Sequence, residues 1–165
     1  MNFLKAKQNI IINGKTGCGK SFLAQALGNR AIHEGFTVYY IRTSTLLEEI
    51  KLSRIDGSYT NLVKRFARYK LLILDDFGVS PISVDDATNL FEIIEIRSQL
   101  SSTIITSQLP VKDWYGYLQN NIVADAILDR VVHSSHRIEI EGDSLRAKYS
   151  NLNQKLIQPD TLCYN

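Results

Sequence analysis

Cysteine, proline, tryptophan and long hydrophobic runs are all scarce in this chain. Its 165 residues include two cysteines, three prolines and one tryptophan. Cys18 and Cys163 are too far apart for a paired metal-ligand spacing and too few for a disulfide framework, so we expect two reduced thiols. No segment approaches the roughly 20 apolar residues that span a membrane, and residues 1–8 lack the apolar stretch of a signal peptide. We therefore expect a cytoplasmic protein with no membrane partner.

The overall charge is also low. A formal net charge of +2 is too small to predict nucleic-acid binding from the whole chain, so that function must rest on local clusters. Hydrophobic residues make up 44% of the chain and charged residues 22%, which is ordinary for a globular protein. The composition predicts one domain with a sizeable core.

A glycine-rich run follows the first apolar segment. Residues 14–21 read Gly-Lys-Thr-Gly-Cys-Gly-Lys-Ser, after three isoleucines and before a helical pattern. The glycines let backbone N–H groups converge, and the start of the next helix points its free amides at the same place. This pattern predicts a nucleotide-binding loop, with Lys20 on the β- and γ-phosphates and the Ser21 hydroxyl on Mg²⁺. The alternative, a glycine-rich loop that binds nothing, leaves the Gly-Lys-Ser ending unexplained. The predicted contacts are Gly14, Lys15, Thr16, Gly17, Cys18, Gly19, Lys20, Ser21 and Phe22.

Strands and helices are predicted to alternate along the chain. Apolar or β-branched runs predict strands at residues 10–12, 37–41, 71–74, 103–106 and 137–140. Helical periodicity fills the intervals, with a break at Asp56-Gly57 between two helices. This alternation predicts a P-loop NTPase of the α/β class: three α/β/α layers around a parallel sheet of about five strands, with the ligand at their carboxyl ends.

Two acids follow the predicted strand at residues 71–74. Transfer of a phosphoryl group to water needs a clamped γ-phosphate, a metal ion that neutralises charge, and an oriented water. Asp75 is placed to bind Mg²⁺ together with Ser21, and Asp76 to polarise the water. The alternative is that the two acids only cap the strand or begin a turn.

Four later residues, in three segments of the chain, each have two interpretations. Ser107 and Gln108 follow the next core strand and either face the γ-phosphate and attacking water, or only satisfy the strand end. Arg130, beside Asp129 on an amphipathic helix, is either half of a surface ion pair or an arginine finger for the nucleotide of a neighbouring subunit. Arg146, after the last strand, either contacts the γ-phosphate of its own chain or is solvated.

Positive charge is concentrated between Lys51 and Lys70. This stretch carries six lysines and arginines and one acid, Asp56, so its net charge exceeds that of the whole chain. Aromatic residues lie between the cations, an arrangement that can bind a DNA backbone without sequence preference. The alternative is a solvated helix face with the aromatic residues in the core. The candidate DNA contacts are Lys51, Arg54, Lys64, Arg65 and Arg68.

Five segments of the chain carry a family resemblance. They are Gly-Lys-Thr-Gly-Cys-Gly-Lys-Ser-Phe-Leu-Ala at 14–24, Leu-Leu-Ile-Leu-Asp-Asp-Phe-Gly at 71–78, Ser-Thr-Ile-Ile-Thr-Ser-Gln-Leu-Pro-Val at 102–111, Ala-Asp-Ala-Ile-Leu-Asp-Arg at 124–130 and Ser-Leu-Arg at 144–146. Together they resemble the IstB-like AAA+ ATPases, insertion-sequence transposition helpers related to the helicase loader DnaC. The later segments are more specific than the glycine-rich loop alone.

The resemblance implies an ATPase that uses ATP and Mg²⁺, assembles on DNA and delivers a partner, either a transposase or a replicative helicase. The matching motif residues are Lys20 and Ser21 for Walker A, Asp75 and Asp76 for Walker B, Ser107 or Gln108 for sensor I, Arg130 for the arginine finger, through which subunits associate, and Arg146 for sensor II. Residues 51–70 correspond to the helical insertion with which the family approaches DNA.

The chain departs from the family pattern in three places. Only eight residues precede the first strand, where the family has a helical N-terminal region, and little follows Arg146, where AAA+ proteins have a helical lid. We therefore expect an AAA+ ATPase core at residues 1–148 with a reduced or absent lid, and a tail at residues 149–165. Asp76 stands where AAA+ proteins more often carry the longer Glu, which predicts slow turnover.

Two other functions are compatible with the loop and the predicted sheet. A small P-loop kinase should carry an arginine-rich substrate lid, and the sequence contains no such segment. A nucleotide-binding module that hydrolyses nothing is favoured if Asp76 is mispositioned.

Overall fold

Five parallel strands flanked by helices form the core of this computed structural model, which describes residues 1–145. The strands are β1 (Asn9–Gly14), β2 (Val38–Arg42), β3 (Leu71–Phe77), β4 (Ser102–Ser107) and β5 (Ser135–Ile140). The helices are α1 (Asn2–Lys5), α2 (Lys20–His33), α3 (Thr43–Ile55), α4 (Tyr59–Arg68), α5 (Val84–Arg97), α6 (Trp114–Tyr117) and α7 (Asn121–Val132), with a 3₁₀ turn at Val111–Asp113. The order across the sheet is β2-β3-β4-β1-β5.

This architecture confirms the predicted three-layer α/β/α fold. Every predicted strand is present, and α3 and α4 are separated at the predicted break. Strand β3 is longer than predicted, because it continues through the two acids, with a register shift between Leu74 and Phe77. The sequence does not predict α1 or α6, since four residues are too few to show a helical period. Arg146 and the tail at residues 149–165 lie outside the described residues.

Different helices cover the two faces of the sheet. On one face α2 lies close to β3, which Gly28 permits, because a Cβ there would lie 2.8 Å from Cδ1 of Ile73. On the other face α3, α4, α5 and α7 enclose the larger core, which contains Phe66, Phe77 and Trp114. The carboxyl ends of β1, β4 and β3 are adjacent and lie at the same edge of the sheet as the start of α2. In residues 1–145 no helix combines the length and apolarity that crossing a membrane requires.

Arg97 is a buried cation at the end of α5, with 2% of its surface exposed. Its guanidinium group donates to the carbonyl oxygens of Phe66, Tyr69 and Ser102, at 2.5, 2.9 and 2.7 Å. Burial lowers the pKa of Arg97 to about 10, so the side chain is still protonated at neutral pH. It therefore joins the end of α4 to the start of β4 through hydrogen bonds rather than through an ion pair.

Replacing Arg97 with Ala should lower the free energy of unfolding by about 3 kcal/mol or more, because several buried carbonyl groups lose their donor. Arg137→Ala is the matched control, since Arg137 is exposed on β5. Urea denaturation followed by circular dichroism measures both variants. Equal stabilities would contradict the structural role given to Arg97.

Candidate nucleotide-binding site

The glycine-rich loop connects β1 to α2 at the carboxyl edge of the sheet. Gly17 and Gly19 have φ angles of 81° and 102°, a left-handed conformation that most side chains disfavour. Gly19 precedes the first turn of α2, and no side chain caps that turn. The first amides of α2 and the positive end of its dipole are thus available to an anion. This geometry fits the phosphate-binding role predicted for residues 14–22.

Lys20 is directed into the loop and only 6% exposed. Its Nζ donates to the carbonyl oxygen of Lys15 at 2.8 Å. Among residues 1–145, no carboxylate lies within ion-pair distance of this ammonium group. A buried charge without an opposite charge is unfavourable, and nucleotide phosphates would supply the missing anion.

Asp75 is the buried carboxylate of the site, with 2% of its surface exposed. Its Oδ1 accepts hydrogen bonds from the hydroxyls of Ser21, at 2.9 Å, and of Thr106. Its Oδ2 accepts a hydrogen bond from the Tyr40 hydroxyl. Carboxylate and hydroxyl oxygens are the ligands that Mg²⁺ takes. The Ser21 and Asp75 side chains therefore fit the metal site that the sequence predicts.

A local distortion of β3 at Asp76 gives this residue surroundings different from those of the adjacent Asp75. Its φ is 58°, and its N–H donates to Oγ1 of Thr106 at 3.1 Å. The Asp76 side chain is 40% exposed, and its Oδ2 lies 3.7 Å from Nε of Arg42. An exposed carboxylate at this edge can contact solvent water, as the predicted role requires.

Ser107 and Gln108, the two sensor candidates, have different surroundings. The Ser107 hydroxyl is buried and donates to the carbonyl oxygen of Phe77 at 2.8 Å, while the N–H of Leu109 donates to it at 3.0 Å. Gln108 is exposed, and its Oε1 accepts a hydrogen bond of 2.6 Å from the Thr16 hydroxyl in the loop. Ser107 therefore holds a turn, and Gln108 is the candidate that contacts the phosphate loop.

Arg130 lies near the end of α7, away from the loop. Its Nε is paired with the carboxylate of Glu95, one of its terminal nitrogens donates to the Ala126 carbonyl at 3.0 Å, and its guanidinium carbon is 5.1 Å from the centre of the Phe91 ring. The partner is thus Glu95 on α5 rather than the adjacent Asp129. The Glu95 carboxylate raises the pKa of Arg130, so the guanidinium is charged at every physiological pH.

The candidate DNA contacts fall into two groups. Three of them already have acidic partners, in the pairs Lys51–Asp86, Arg54–Glu92 and Arg65–Glu49. Lys64 and Arg68 are exposed on the same side of α4, and neither forms an ion pair with another described residue. Phe66 between them is fully buried, so this aromatic ring packs in the core and cannot stack on a base.

Sequence reasoning missed three residues that surround the two acids: Tyr40, Arg42 and Thr43. Tyr40 and Arg42 lie near the carboxyl end of β2, where Arg42 is opposite Asp75 in the parallel register, and Thr43 is the first residue of α3. The Thr43 hydroxyl donates to the backbone carbonyl of Asp75 at 3.0 Å. The available signal was a polar run directly after a strand, but chain order alone does not reveal that β2 neighbours β3.

A parallel sheet with this loop after β1 and two acids on β3 defines a P-loop nucleotide-binding protein. The family model for IstB-like ATP-binding proteins matches residues 1–153. The chain belongs to that family, which confirms the resemblance found in the sequence.

Two relatives carry names that refer to insertion sequences. The chain is 45% identical over 145 residues to the insertion sequence ATP-binding protein y4pL of Sinorhizobium fredii, covering 88% of this chain and 59% of that protein. It is 36% identical over 148 residues to the ATP-binding protein of insertion sequence IS232 from Bacillus thuringiensis subsp. berliner, covering 90% and 59%. The chain thus spans less than two thirds of either relative.

Solved structures show the same fold at low sequence identity. The DnaC helicase loader superposes with a TM-score of 0.72 at 23% identity, over 85% of each chain. DnaI gives 0.74 at 21% identity, over 85% of this chain and 80% of that one. AMPPCP-bound DnaA from Aquifex aeolicus gives 0.70 at 21% identity, over 99% and 50%. The chain therefore shares the fold of these three proteins.

Replacing Gly17 with Ala should weaken ATP binding by about tenfold or more, equivalent to about 1.4 kcal/mol. The reason is that a Cβ at Gly17 would overlap the Ser144 hydroxyl and lie 2.9 Å from the Ser144 Cβ, so the loop must move. Gly35→Ala is the control, because Gly35 also has a left-handed φ, of 84°, but has open space around it. Calorimetric titration with ATP compares the variants, and equal affinities would contradict a preformed loop.

Proposed function

We propose that this protein binds ATP with Mg²⁺, hydrolyses it, and acts on DNA as an assembling switch during transposition. The observation that carries the proposal is the pair of buried charges at one edge of the sheet, Lys20 and Asp75, each without a charged partner in residues 1–145. A nucleotide with its metal ion supplies both partners: phosphates for Lys20 and a cation for Asp75. A loop that bound nothing would leave both charges uncompensated.

In the proposed reaction, water attacks the γ-phosphorus, the bond from the γ-phosphorus to the β–γ bridging oxygen breaks, and ADP and inorganic phosphate leave. Lys20 and the loop amides hold the β- and γ-phosphates, and Ser21 with Asp75 would hold Mg²⁺, which neutralises charge on the phosphates when bound. Asp76, exposed beside this edge, accepts hydrogen bonds from the attacking water, and Gln108 helps to orient it. Because Asp is one methylene shorter than Glu, we propose that turnover is slow.

Arg130 would act on the nucleotide of a second copy of the chain. Strand β5 starts beyond the end of α7 and reaches the loop only at its carboxyl end, where Ile140 pairs with Gly14. Its six residues span about 20 Å, which an arginine side chain cannot cross. A catalytic role for Arg130 therefore requires self-association, and Glu95 must release the guanidinium before it can contact a phosphate.

DNA is the proposed surface for assembly. Lys64 and Arg68 support this proposal best, because both are exposed on one side of α4 and carry uncompensated charge within the described part of the chain. Such cations bind phosphates without regard to sequence. Lys51, Arg54 and Arg65 would contribute less, since each would have to exchange an acidic partner for a phosphate.

The proposed protein partner is a transposase, and we place the activity in the cytoplasm. The relatives' names, which refer to insertion sequences, support this choice. The AAA+ fold shared with the DnaC helicase loader keeps a replicative helicase as the alternative. Pull-down of each candidate by the ATP-bound protein, with the ADP-bound protein as control, distinguishes the two.

Asp76→Asn and Arg130→Ala should each lower ATP turnover by about 100-fold or more when tested alone. Mixing the two variants should restore turnover, because an Asp76→Asn subunit can offer its intact Arg130 to the intact site of an Arg130→Ala subunit. Phosphate release measured across a range of protein concentrations checks both expectations. Asp129→Ala is the control, since Asp129 is exposed beside Arg130 and, among residues 1–145, its one ion pair is with His133. A mixture as inactive as its components would contradict action between subunits.

Lys64→Ala combined with Arg68→Ala should weaken DNA binding and reduce the slope of log affinity against log salt by about 2. Lys51→Ala combined with Arg54→Ala should have a smaller effect, because these cations are paired within the chain. Fluorescence anisotropy with duplex and single-stranded DNA of mixed sequence measures both double variants at several salt concentrations. Equal losses from the two pairs would contradict the assignment to α4.

A further inference from the structure

We propose that Tyr40 is a positioning residue for the metal-binding carboxylate of Asp75, through the hydrogen bond from its phenol to Oδ2. The proposal rests on the proposed Mg²⁺–ATP site and adds to it a residue outside the loop and the paired acids. The two oxygens of Asp75 are held unequally: Oδ1 has two hydroxyl partners, Ser21 and Thr106, whereas Tyr40 is the one partner of Oδ2 among residues 1–145.

The sheet register explains why a tyrosine is needed at this position. Arg42 is opposite Asp75 in the parallel pairing of β2 with β3, and Tyr40 is opposite Ile73. Tyr40 is therefore one strand away from Asp75 and two residues, or about 6.6 Å, further back along the sheet. Side chains two residues apart lie on the same face, here the one that α2 covers. From this position a phenol reaches the carboxylate, and the shorter side chain of serine or threonine would not.

The hydrogen bond restricts rotation of the carboxylate. A side chain anchored at one oxygen can still turn about χ2, because terminal torsions of this type have broad preferences. An anchor at Oδ2 fixes the plane and thus the direction in which Asp75 presents its oxygens to a cation. Hydrogen-bond partners of metal ligands commonly control affinity in this way. Since Tyr40 is 38% exposed, the loss of its hydroxyl does not open a cavity in the core.

Tyr40→Phe tests the proposal without changing the size of the ring. The Mg²⁺ concentration that half-saturates tight binding of a fluorescent ATP analogue should rise about tenfold. Binding of the same analogue in EDTA should be unchanged, because the loop amides and Lys20 act without the metal ion. Electron paramagnetic resonance of Mn²⁺ measures free metal directly and should show the same loss of affinity, independently of turnover.

Tyr39→Phe is the matched control. Tyr39 is the neighbouring residue of β2, and its ring packs against Phe66 and Tyr69 on the other face of the sheet. Ser21→Ala provides the comparison for loss of a direct ligand. Equal metal dependence in the wild-type protein and Tyr40→Phe would overturn the proposal while leaving the nucleotide site intact. Tighter metal binding by Tyr40→Phe would also overturn it, because that result would mean that the phenol competes with the cation. Absence of nucleotide binding by the wild-type protein would instead refute the proposed function.

Discussion

The carboxylate of Asp75 connects β3 to three other parts of the chain. It accepts hydrogen bonds from Ser21 on α2, Tyr40 on β2 and Thr106 on β4, and Thr106 in turn accepts a hydrogen bond from the N–H of Asp76. A slip of one residue in β2 or β4 would move the Tyr40 or the Thr106 hydroxyl to the opposite face of the sheet. The register of the three strands is therefore a requirement of the site as well as of the core.

Burial of two unbalanced charges explains why the site should favour an occupied state. Lys20 finds only a backbone carbonyl, and Asp75 finds only hydroxyls, within the part of the chain that the structure describes. Both arrangements satisfy hydrogen bonding but leave charge in a medium of low polarity. Any ligand that binds only the folded protein stabilises it, and one that carries both an anion and a cation relieves both charges together. In the proposed site, the same groups are thus weak points of the empty fold and recognition groups for the nucleotide.

Local patterns in the sequence were sufficient for the fold and for the residues adjacent to the loop. Apolar and β-branched runs predicted all five strands found in residues 1–145, and the Gly-Lys-Ser ending predicted that Lys20 and Ser21 lie at the start of α2. The pairing of β2 with β3 could not be read from chain order, so Tyr40 and Arg42 were missed. No sequence pattern singled out Arg97, because two of its carbonyl partners, Phe66 and Tyr69, lie 31 and 28 residues away in the chain. The surroundings of Tyr40, Arg42 and Arg97 depend on contacts between elements far apart in the chain, which local sequence patterns do not reveal.

Helix α5 supplies acidic partners to cations that serve two parts of the proposed function, DNA binding and action on a neighbouring subunit's nucleotide. Its acids are the partners of cations from three other positions in the fold, in the pairs Asp86–Lys51, Glu92–Arg54 and Glu95–Arg130. Each of these cations can bind a phosphate of DNA or of a neighbour's nucleotide only by giving up its carboxylate. The Glu92–Arg54 and Glu95–Arg130 pairs are partly exposed and contribute little stability, so these two cations can exchange partners at low cost when a phosphate is close. Asp86 is buried, so withdrawal of Lys51 costs more. In the isolated chain α5 therefore holds these cations in neutral pairs, and a partner that supplies phosphates competes with it directly.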